Sequence, residues 1–467
     1  MDMHLLRFGN ILLHAINSIL LYVLLRRLFH AVLLADRDAG ISGSTLNGYA
    51  LMGSMIFALH PVAVYGVTYL IQRSILLATM FMLLMLLAYL EGLLREKWEW
   101  MVAAGICYFA AIMSKEHSVM APVVALALTP LIRKPSLNLF KQTLPFYILL
   151  LVGVVVGVTL LSARGVIGQA YEPNALILLE HYVNAKGLTM SELPDLHLLS
   201  LVTQATLFFK YIFLWLLPNP AWMSVDMREP IALSIFAWPH AFGMSAFLAY
   251  FGLSVWLLLK RGRLGLLGFA MLAPWIMYLT EMSTVRIKET FVLYRSYLWM
   301  PMLFVAIPAL VGKLKASKVF ALMGILCLVI IPLTLNRMHT FSSVLLLWDD
   351  AEKLVRHKQS VLGVERIYYN RGTELGKLGR FEEAIADFNR AIDEHPFESV
   401  FGNRATAYYF LGRYREALSD YDRAIAFDPS NPNSYQGRGL TLRALGDYAQ
   451  AQLDFQKSCE LGLCSPN

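Results

Sequence analysis

Residues 8–29 read FGNILLHAINSILLYVLLRRLF, an apolar run closed by Arg26 and Arg27. An α-helix needs about 20 residues to cross roughly 30 Å of hydrocarbon, so this run predicts a membrane-spanning helix. It does not read as a cleavable leader, because it is long and arginines rather than small residues follow it. Further runs of this kind occupy 49–71, 74–94, 98–113, 117–132, 142–163, 238–259, 264–280, 297–312 and 319–336. Those at 98–113 and 117–132 fall short of a full crossing length. The reading is a polytopic transmembrane helix bundle over residues 1–339 with ten crossings. Composition agrees: of 467 residues 57% are hydrophobic and only 16% charged. Mean hydropathy is +0.54. A soluble domain would carry about 25% charge. A cytosolic enzyme and a disordered chain are thereby excluded, and four cysteines are too few for a disulfide scaffold.

The net charge of +7 is unevenly spread. Residues 365–467 hold 12 Lys/Arg against 15 Asp/Glu, so the excess basicity belongs to the apolar part. This is no nucleic-acid signature. Loops facing the cytoplasm collect Lys and Arg. Arg26-Arg27, Arg95/Lys97, Arg133-Lys134, Lys260-Arg261-Arg263 and Lys313/Lys315/Lys318 are therefore assigned to the cytoplasm. The run 200–217 would need both ends outside, and with Gln204 and Lys210 it suits a re-entrant or interfacial helix. Both termini then lie outside. The outer face collects His60, Gln72-Arg73, Lys115-Glu116-His117, the loop 164–199, the stretch 218–237, and Glu281, Arg286, Lys288, Glu289 and Arg295. Charges at helix mouths are costly unless they meet a wet cavity. The alternative is a set of ordinary solvated loop ends.

From residue 365 a different grammar begins. Gly379-Arg380-Phe381 returns as Gly412-Arg413-Tyr414 and as Gly446-Asp447-Tyr448. Ala384, Ala417 and Ala451 align, as do Phe388, Tyr421 and Phe455, and Pro396 and Pro429 close the first two units. Small residues that let two helices approach, aromatics that fill the gap and a terminal proline form the tetratricopeptide pattern. A single unit cannot bury its apolar face, so three units stack into an α-solenoid with a concave groove for an extended peptide or a partner helix. A packing cap is the plainer alternative. Residues 340–364 read as an amphipathic connector, with Leu345, Leu346, Leu347 and Trp348 towards the membrane. Cys459 and Cys464 could pair, although helical geometry disfavours that spacing. The fold class is all-α.

Taken in order, several motifs resemble one enzyme family. They are His4, Asn10, His14 and Asn17; Phe57-Ala58-Leu59-His60-Pro61 with Gln72-Arg73; and Ser114-Lys115-Glu116-His117 leading to Pro122. Leu217-Pro218 through Met223-Ser224-Val225-Asp226 and Tyr294-Arg295-Ser296-Tyr297-Leu298-Trp299-Met300-Pro301 follow, and the repeats close the series. The chain resembles the polytopic glycosyltransferases of the GT-C superfamily, nearest to the transmembrane-and-TPR protein O-mannosyltransferases and their bacterial relatives. The resemblance implies a transferase that takes a sugar from a polyprenyl-phosphate carrier on the extracytoplasmic side. A carboxylate in a first outer loop would be its general base. That loop should precede His4, so the chain is expected to be truncated at its start and its base is unassigned. Asp2 is not expected to serve.

Within this scheme Arg73, Lys115 and Arg295 would contact the donor phosphate, with Glu116, His60 and Tyr297 in support. Asp226 and Glu289 are the outer acids left as stand-in bases. Each has a plain structural alternative: charged helix mouths for the ionic groups, a helix-carbonyl cap for His60, and glue between helices for Asn10, His14 and Asn17. No His/Cys/Asp cluster has metal-ligand spacing, no cofactor is evident beyond the lipid-linked sugar, and a need for a divalent metal is left open. No P-loop, dinucleotide fingerprint or nucleophile elbow occurs. No Asn-x-Ser/Thr sequon occurs either, which favours a bacterial cytoplasmic membrane with the repeats outside. Expected partners are the polyprenyl-phosphate sugar, membrane lipids and a protein or peptide in the groove. The alternative function is a catalytically inactive, membrane-anchored repeat scaffold for envelope assembly.

Overall fold

A computed structural model describes residues 3–34, 41–69, 72–163, 175–358 and 361–464. Asp2 and residues 164–174 of the long loop lie outside the described residues. The regular structure of the described residues is helical, without an extended strand, and the chain divides into two units. One comprises 1–223 and 229–339, the other 224–228 and 340–467.

The first unit holds α1 (Met3–Leu33), α2 (Gly43–Ala58), α3 (Ala63–Thr68), α4 (Arg73–Arg95), α5 (Trp98–Ser114), α6 (Ala121–Ile132) and α7 (Leu137–Ala163). After these come α8 (Ala175–Ala185), α9 (Leu196–Leu216), α10 (His240–Leu259), α11 (Gly262–Tyr278), α12 (Ile307–Val311) and α13 (Ala316–Thr340). Among the described residues seven segments are long and apolar enough to cross a membrane by length and composition. They are Arg7–Leu33, Arg73–Arg95, Leu137–Val155, Leu196–Leu216, His240–Leu259, Gly262–Ser283 and Ala316–Thr340.

Two of the expected crossings are broken, for reasons the backbone supplies. The run 49–71 breaks at His60-Pro61 into α2 and the one-and-a-half-turn α3. The run 297–312 contains Pro301 and Pro308, which cannot donate to a helical ladder, and it folds as 3-10 turns leading into α12. The stretch 200–217, expected to be a re-entrant or interfacial helix, is part of the uninterrupted 21-residue α9. Its polar Gln204 is satisfied internally: Nε2 donates to the Thr290 carbonyl at 2.8 Å and Oε1 accepts from the Tyr278 hydroxyl at 2.7 Å.

Helices α1 and α4 run parallel, tied at both ends. Arg73 Nε donates to Asn10 Oδ1 at 3.1 Å at one end, and Arg27 Nε meets Glu91 Oε1 at 3.0 Å at the other. The 22 residue steps from Arg73 to Arg95 span about 33 Å at roughly 1.5 Å each. Apolar side chains also face outward elsewhere in this unit: Leu328, Val329 and Leu335 on α13, and Trp256 and Leu259 on α10, are all exposed.

The second unit consists of α14 (Val344–Val355) and three helical hairpins: α15 (Glu365–Lys377) with α16 (Phe381–Glu394), α17 (Glu398–Phe410) with α18 (Tyr414–Phe427), and α19 (Pro432–Ala444) with α20 (Tyr448–Glu460). Each hairpin turns on a glycine, Gly379, Gly412 or Gly446, whose φ of +74° to +90° excludes most side chains. Close packing explains the small residues. A Cβ on Gly372 would lie 2.9 Å from Phe388, and one on Gly439 would lie 2.7 Å from Phe455. The equivalent position in the middle hairpin is Ala405, against Tyr421. Gly372→Leu is therefore expected to destabilise the first hairpin by about 1–3 kcal/mol through overpacking, whereas Gly372→Ala stays closer to the parent. Hydrogen exchange of the α15 and α16 amides reads the difference, and equal protection in both variants would refute the packing argument.

Helix α14 differs from its expected role. Leu345 and Trp348, anticipated on a membrane side, pack against the buried cluster of Ala351, Val355, Val364, Ile367, Leu375 and Phe388. The connector helix thus belongs to the repeat core as an added first layer. Cys459 and Cys464 are joined by a disulfide, with Cα atoms 4.0 Å apart.

Candidate functional site

The site is assembled at the end of the first unit where α1 and α4 begin. His14, one turn beyond Asn10, has Nε2 against the Ala58 carbonyl at 3.0 Å and Nδ1 against the Tyr297 hydroxyl at 2.7 Å. Donation from Nε2 to the carbonyl leaves Nδ1 to accept the tyrosine proton. Asn17 Nδ2 donates to the Leu76 carbonyl at 3.0 Å and to the Tyr297 oxygen at 3.2 Å. Asn10 Nδ2 donates to the Val67 carbonyl at 3.0 Å. Three polar groups of one helix thereby fasten α2, α3, α4 and the 3-10 turn Leu293–Tyr297.

That turn lies in a stretch that sequence alone places in an outer loop. In the structure 284–296 is largely enclosed. Arg286, Thr290, Arg295 and Ser296 are all buried, and the Val292 backbone exchanges hydrogen bonds with the Tyr211 hydroxyl at 2.8 and 3.1 Å. Non-helical backbone at such depth is tolerated where protein supplies its partners.

At the centre is Glu281, only 2% exposed. Its Oε2 meets Arg295 Nη1 at 2.9 Å and Arg286 Nη2 at 3.6 Å, and its Oε1 meets His117 Nε2 at 3.0 Å. His117 Nδ1 faces Glu116 Oε1 at 3.1 Å, and Lys115 Nζ reaches the same oxygen at 3.2 Å. An imidazole with a carboxylate at each nitrogen satisfies both only when doubly protonated. Arg295 also meets Glu289 at 3.3 Å. The carboxylate of Glu281 outweighs the desolvation of Arg295 and holds its guanidinium above its ordinary pKa. Tyr69, just before Arg73, stacks on Tyr294, the neighbour of Arg295, at 6.4 Å between ring centres. Lys115, Glu116, Glu289 and Arg295 thus belong to one network centred on Glu281, whereas Arg73 at the start of α4 is bonded to Asn10 of α1.

Three other proposed site residues lie elsewhere or act differently. Asp226 belongs to the second unit, where Arg228 grips it with Nε at 2.6 Å and Arg366 lies at 3.6 Å. His60 is fully enclosed: its ring stacks on Trp215 at 4.3 Å and Nε2 bonds the Trp215 carbonyl at 3.0 Å. It ties α2 to the last turn of α9. Tyr297 is the fastening point of α1 just described.

Sequence reasoning missed a second charged system. In each hairpin an arginine of the first helix forks onto a buried aspartate of the second, sixteen residues on. The pairs are Arg371–Asp387 at 2.6 and 2.7 Å, Arg404–Asp420 at 2.7 and 2.8 Å, and Arg438–Asp454 at 2.8 Å twice. Their repeat spacing was the available signal. Arg371 Nη1 also reaches Glu352 on α14 at 2.9 Å, as do Arg356 at 2.6 Å and Arg390 at 3.4 Å. Among the described residues no group of His, Cys, Asp or Glu could hold a metal ion.

Comparison with known proteins bears on the second unit. Residues 365–397 and 432–461 match the family described as tetratricopeptide repeat, and 405–446 match that described as TPR repeat. The C-terminal region is a run of tetratricopeptide repeats. The second TPR of Spaghetti (RPAP3) bound to the HSP90 peptide SRMEEVD is 30% identical, with 21% of this chain and 87% of that chain covered and a TM-score of 0.21. The first TPR domain of human RPAP3 is 29% identical, with 21% and 78% covered and a TM-score of 0.21. The MamA protein is 18% identical, with 29% and 76% covered and a TM-score of 0.25. None of the curated proteins matches the chain.

Proposed function

We propose that this protein is a membrane-embedded sugar transferase of the GT-C kind, using a polyprenyl-phosphate donor and a protein or glycan acceptor held by the repeats. One observation supports the reading above others: Lys115, Arg286 and Arg295 gather with Glu116, His117, Glu281 and Glu289 in one connected charge network at the end of a set of apolar helices. Membrane embedding accounts for the outward apolar faces, and the polar ends of α4 match the roughly 30 Å of a bilayer core. A departing polyprenyl phosphate gains negative charge, and fixed cations lower the energy of that state. An acceptor hydroxyl needs a base within about 3 Å. Glu281 is enclosed, so Glu116 and Glu289, with 61% and 41% of their side chains exposed, are the acids of this cluster open to an acceptor. The repeat groove would take an extended peptide, as the RPAP3 repeat takes its HSP90 peptide.

A specific observation favours a second reading, an inactive membrane-anchored scaffold: each of the three carboxylates is engaged by a cation. Lys115→Gln and Arg73→Gln separate the two. Full-length protein is placed in proteoliposomes with labelled polyprenyl-phosphate sugars and envelope proteins. The transferase reading expects parental thermal stability and transfer reduced about 100-fold, the scale of losing one preorganised charge stabiliser. Unchanged transfer in both variants, or none in the parent, leaves the scaffold.

A further inference from the structure

The opposite end of the first unit carries its own construction. Helix α4 ends at Arg95, and its last carbonyls are taken by side chains from beyond α6. Arg133 Nε donates to the Leu93 carbonyl at 3.1 Å and Gln142 Nε2 donates to that of Gly92, while Arg133 Nη2 pairs with Glu96. The connection between α6 and α7, Arg133–Ser136, is thereby pinned against α4. Two cavities open beside it.

One, of about 440 Å³, is polar and is lined by Glu96, Arg133, Lys134, Asn138 and Lys141. The other, of about 450 Å³, is apolar and is lined by Leu126, Pro130, Phe140 and Tyr147. Arg133, Ser136 and Leu139 line both, so the two adjoin. Three cations face one carboxylate in the polar cavity, which favours an anion. Glu96 is already matched by Arg133, and Lys134 and Lys141 are exposed. The apolar cavity has phenol hydroxyls at its inner edge, where Tyr89 bonds Thr129 at 2.8 Å and Tyr147 at 3.0 Å. Phe140 and Leu126 stand open towards the outside.

We propose that these joined cavities bind one anionic glycerophospholipid, its phosphate against Arg133, Lys134 and Lys141 and an acyl chain along Leu126, Phe140 and Tyr147. A soluble phosphate ester would use the first cavity and leave the second empty. A neutral lipid would use the second and leave the cations unmatched. Basic pockets between membrane helices are suited to lipid head groups. The site rests on the membrane reading of the first unit but not on transferase activity, and it is built from none of the residues of the other end.

The test uses the full chain in nanodiscs of phosphatidylcholine with or without phosphatidylglycerol, and counts retained phosphatidylglycerol by native mass spectrometry. Retention against a phosphatidylcholine background is expected. Lys134→Gln with Lys141→Gln should weaken it about 25-fold, at roughly fivefold per surface cation, and Leu126→Glu should weaken it with both lysines intact. All three substituted side chains are exposed, so the fold is kept. No preference for phosphatidylglycerol in a chain that enters the nanodiscs overturns this site alone. Displacement of the lipid by millimolar inorganic phosphate overturns the lipid as its source. A chain that enters no bilayer overturns the membrane reading as well.

Discussion

Replacing Arg295 with methionine is expected to lower the stability of the first unit by about 3–5 kcal/mol, the cost of stranding a buried charge. The stranded group is Glu281, 2% exposed, whose strongest partner is Arg295 at 2.9 Å. Arg286 lies farther away at 3.6 Å, and His117 at 3.0 Å must also serve Glu116. Neither replaces the lost guanidinium. The companion variant makes the argument specific. Glu281→Met together with Arg295→Met removes both charges and should restore part of the loss, because apolar pairs of similar volume often match a buried ion pair, while Arg286 and His117 lose the partner they shared. Unfolding of the full chain in detergent, followed by fluorescence of Trp299 and its neighbours, gives the four corners of the cycle. Trp299 is 1% exposed and stands four residues from Arg295. A single variant as stable as the parent would show that the network is rehydrated and carries no structural weight.

How far such a network could be foreseen depends on what reports it. Apolar runs report helices well when nothing interrupts them, and α10, α11 and α13 lie close to the limits their sequences suggest. Prolines at 61, 301 and 308 were in plain view, yet hydropathy averages over them, and the broken segments read as crossings. The site residues were legible as charges at helix mouths. Their pairing was not, because Glu281 and His117 are 164 positions apart and only the tertiary fold brings them together. The repeats were legible in detail, since period and residue size repeat together. Helix α14 was misread for a physical reason: its apolar face has the same signature whether it meets lipid or the first hairpin. The deciding clue was polar. Glu352 lies on that helix and is wholly enclosed, which a carboxylate tolerates beside arginines and not beside lipid.

Glu352 therefore carries the second large effect. Three arginines share its carboxylate: Arg356 and Arg371 at 2.6 and 2.9 Å, and Arg390 at 3.4 Å. Replacing it with leucine removes the nearer of two acids that link α14 to the Arg371–Asp387 fork, Asp349 remaining at 3.6 Å from Arg371. Arg356 and Arg390 are about half exposed and can return to water, while Arg371 keeps Asp387. The expected cost is accordingly below that of a wholly buried pair, about 2–3 kcal/mol. Acid titration supplies a signature that simple packing would not. Burial raises the pKa of this carboxyl, but the hydrogen bond from Arg356 and the charge of Arg371 outweigh it and hold the group below its ordinary value. A group whose folded pKa is depressed contributes stability that is complete above its unfolded value, about 4.3 for glutamate. That stability is lost as pH falls through the lower folded value. The parent repeats should lose stability steadily below about pH 4.3, and Glu352→Leu should start lower at neutral pH and lose less over the same interval. Trp348 packs against the same cluster, so its fluorescence in the full chain follows the transition directly. Parallel acid profiles for parent and variant would mean that Glu352 contributes no proton-linked stability, and α14 would then be held to the first hairpin by its apolar face alone.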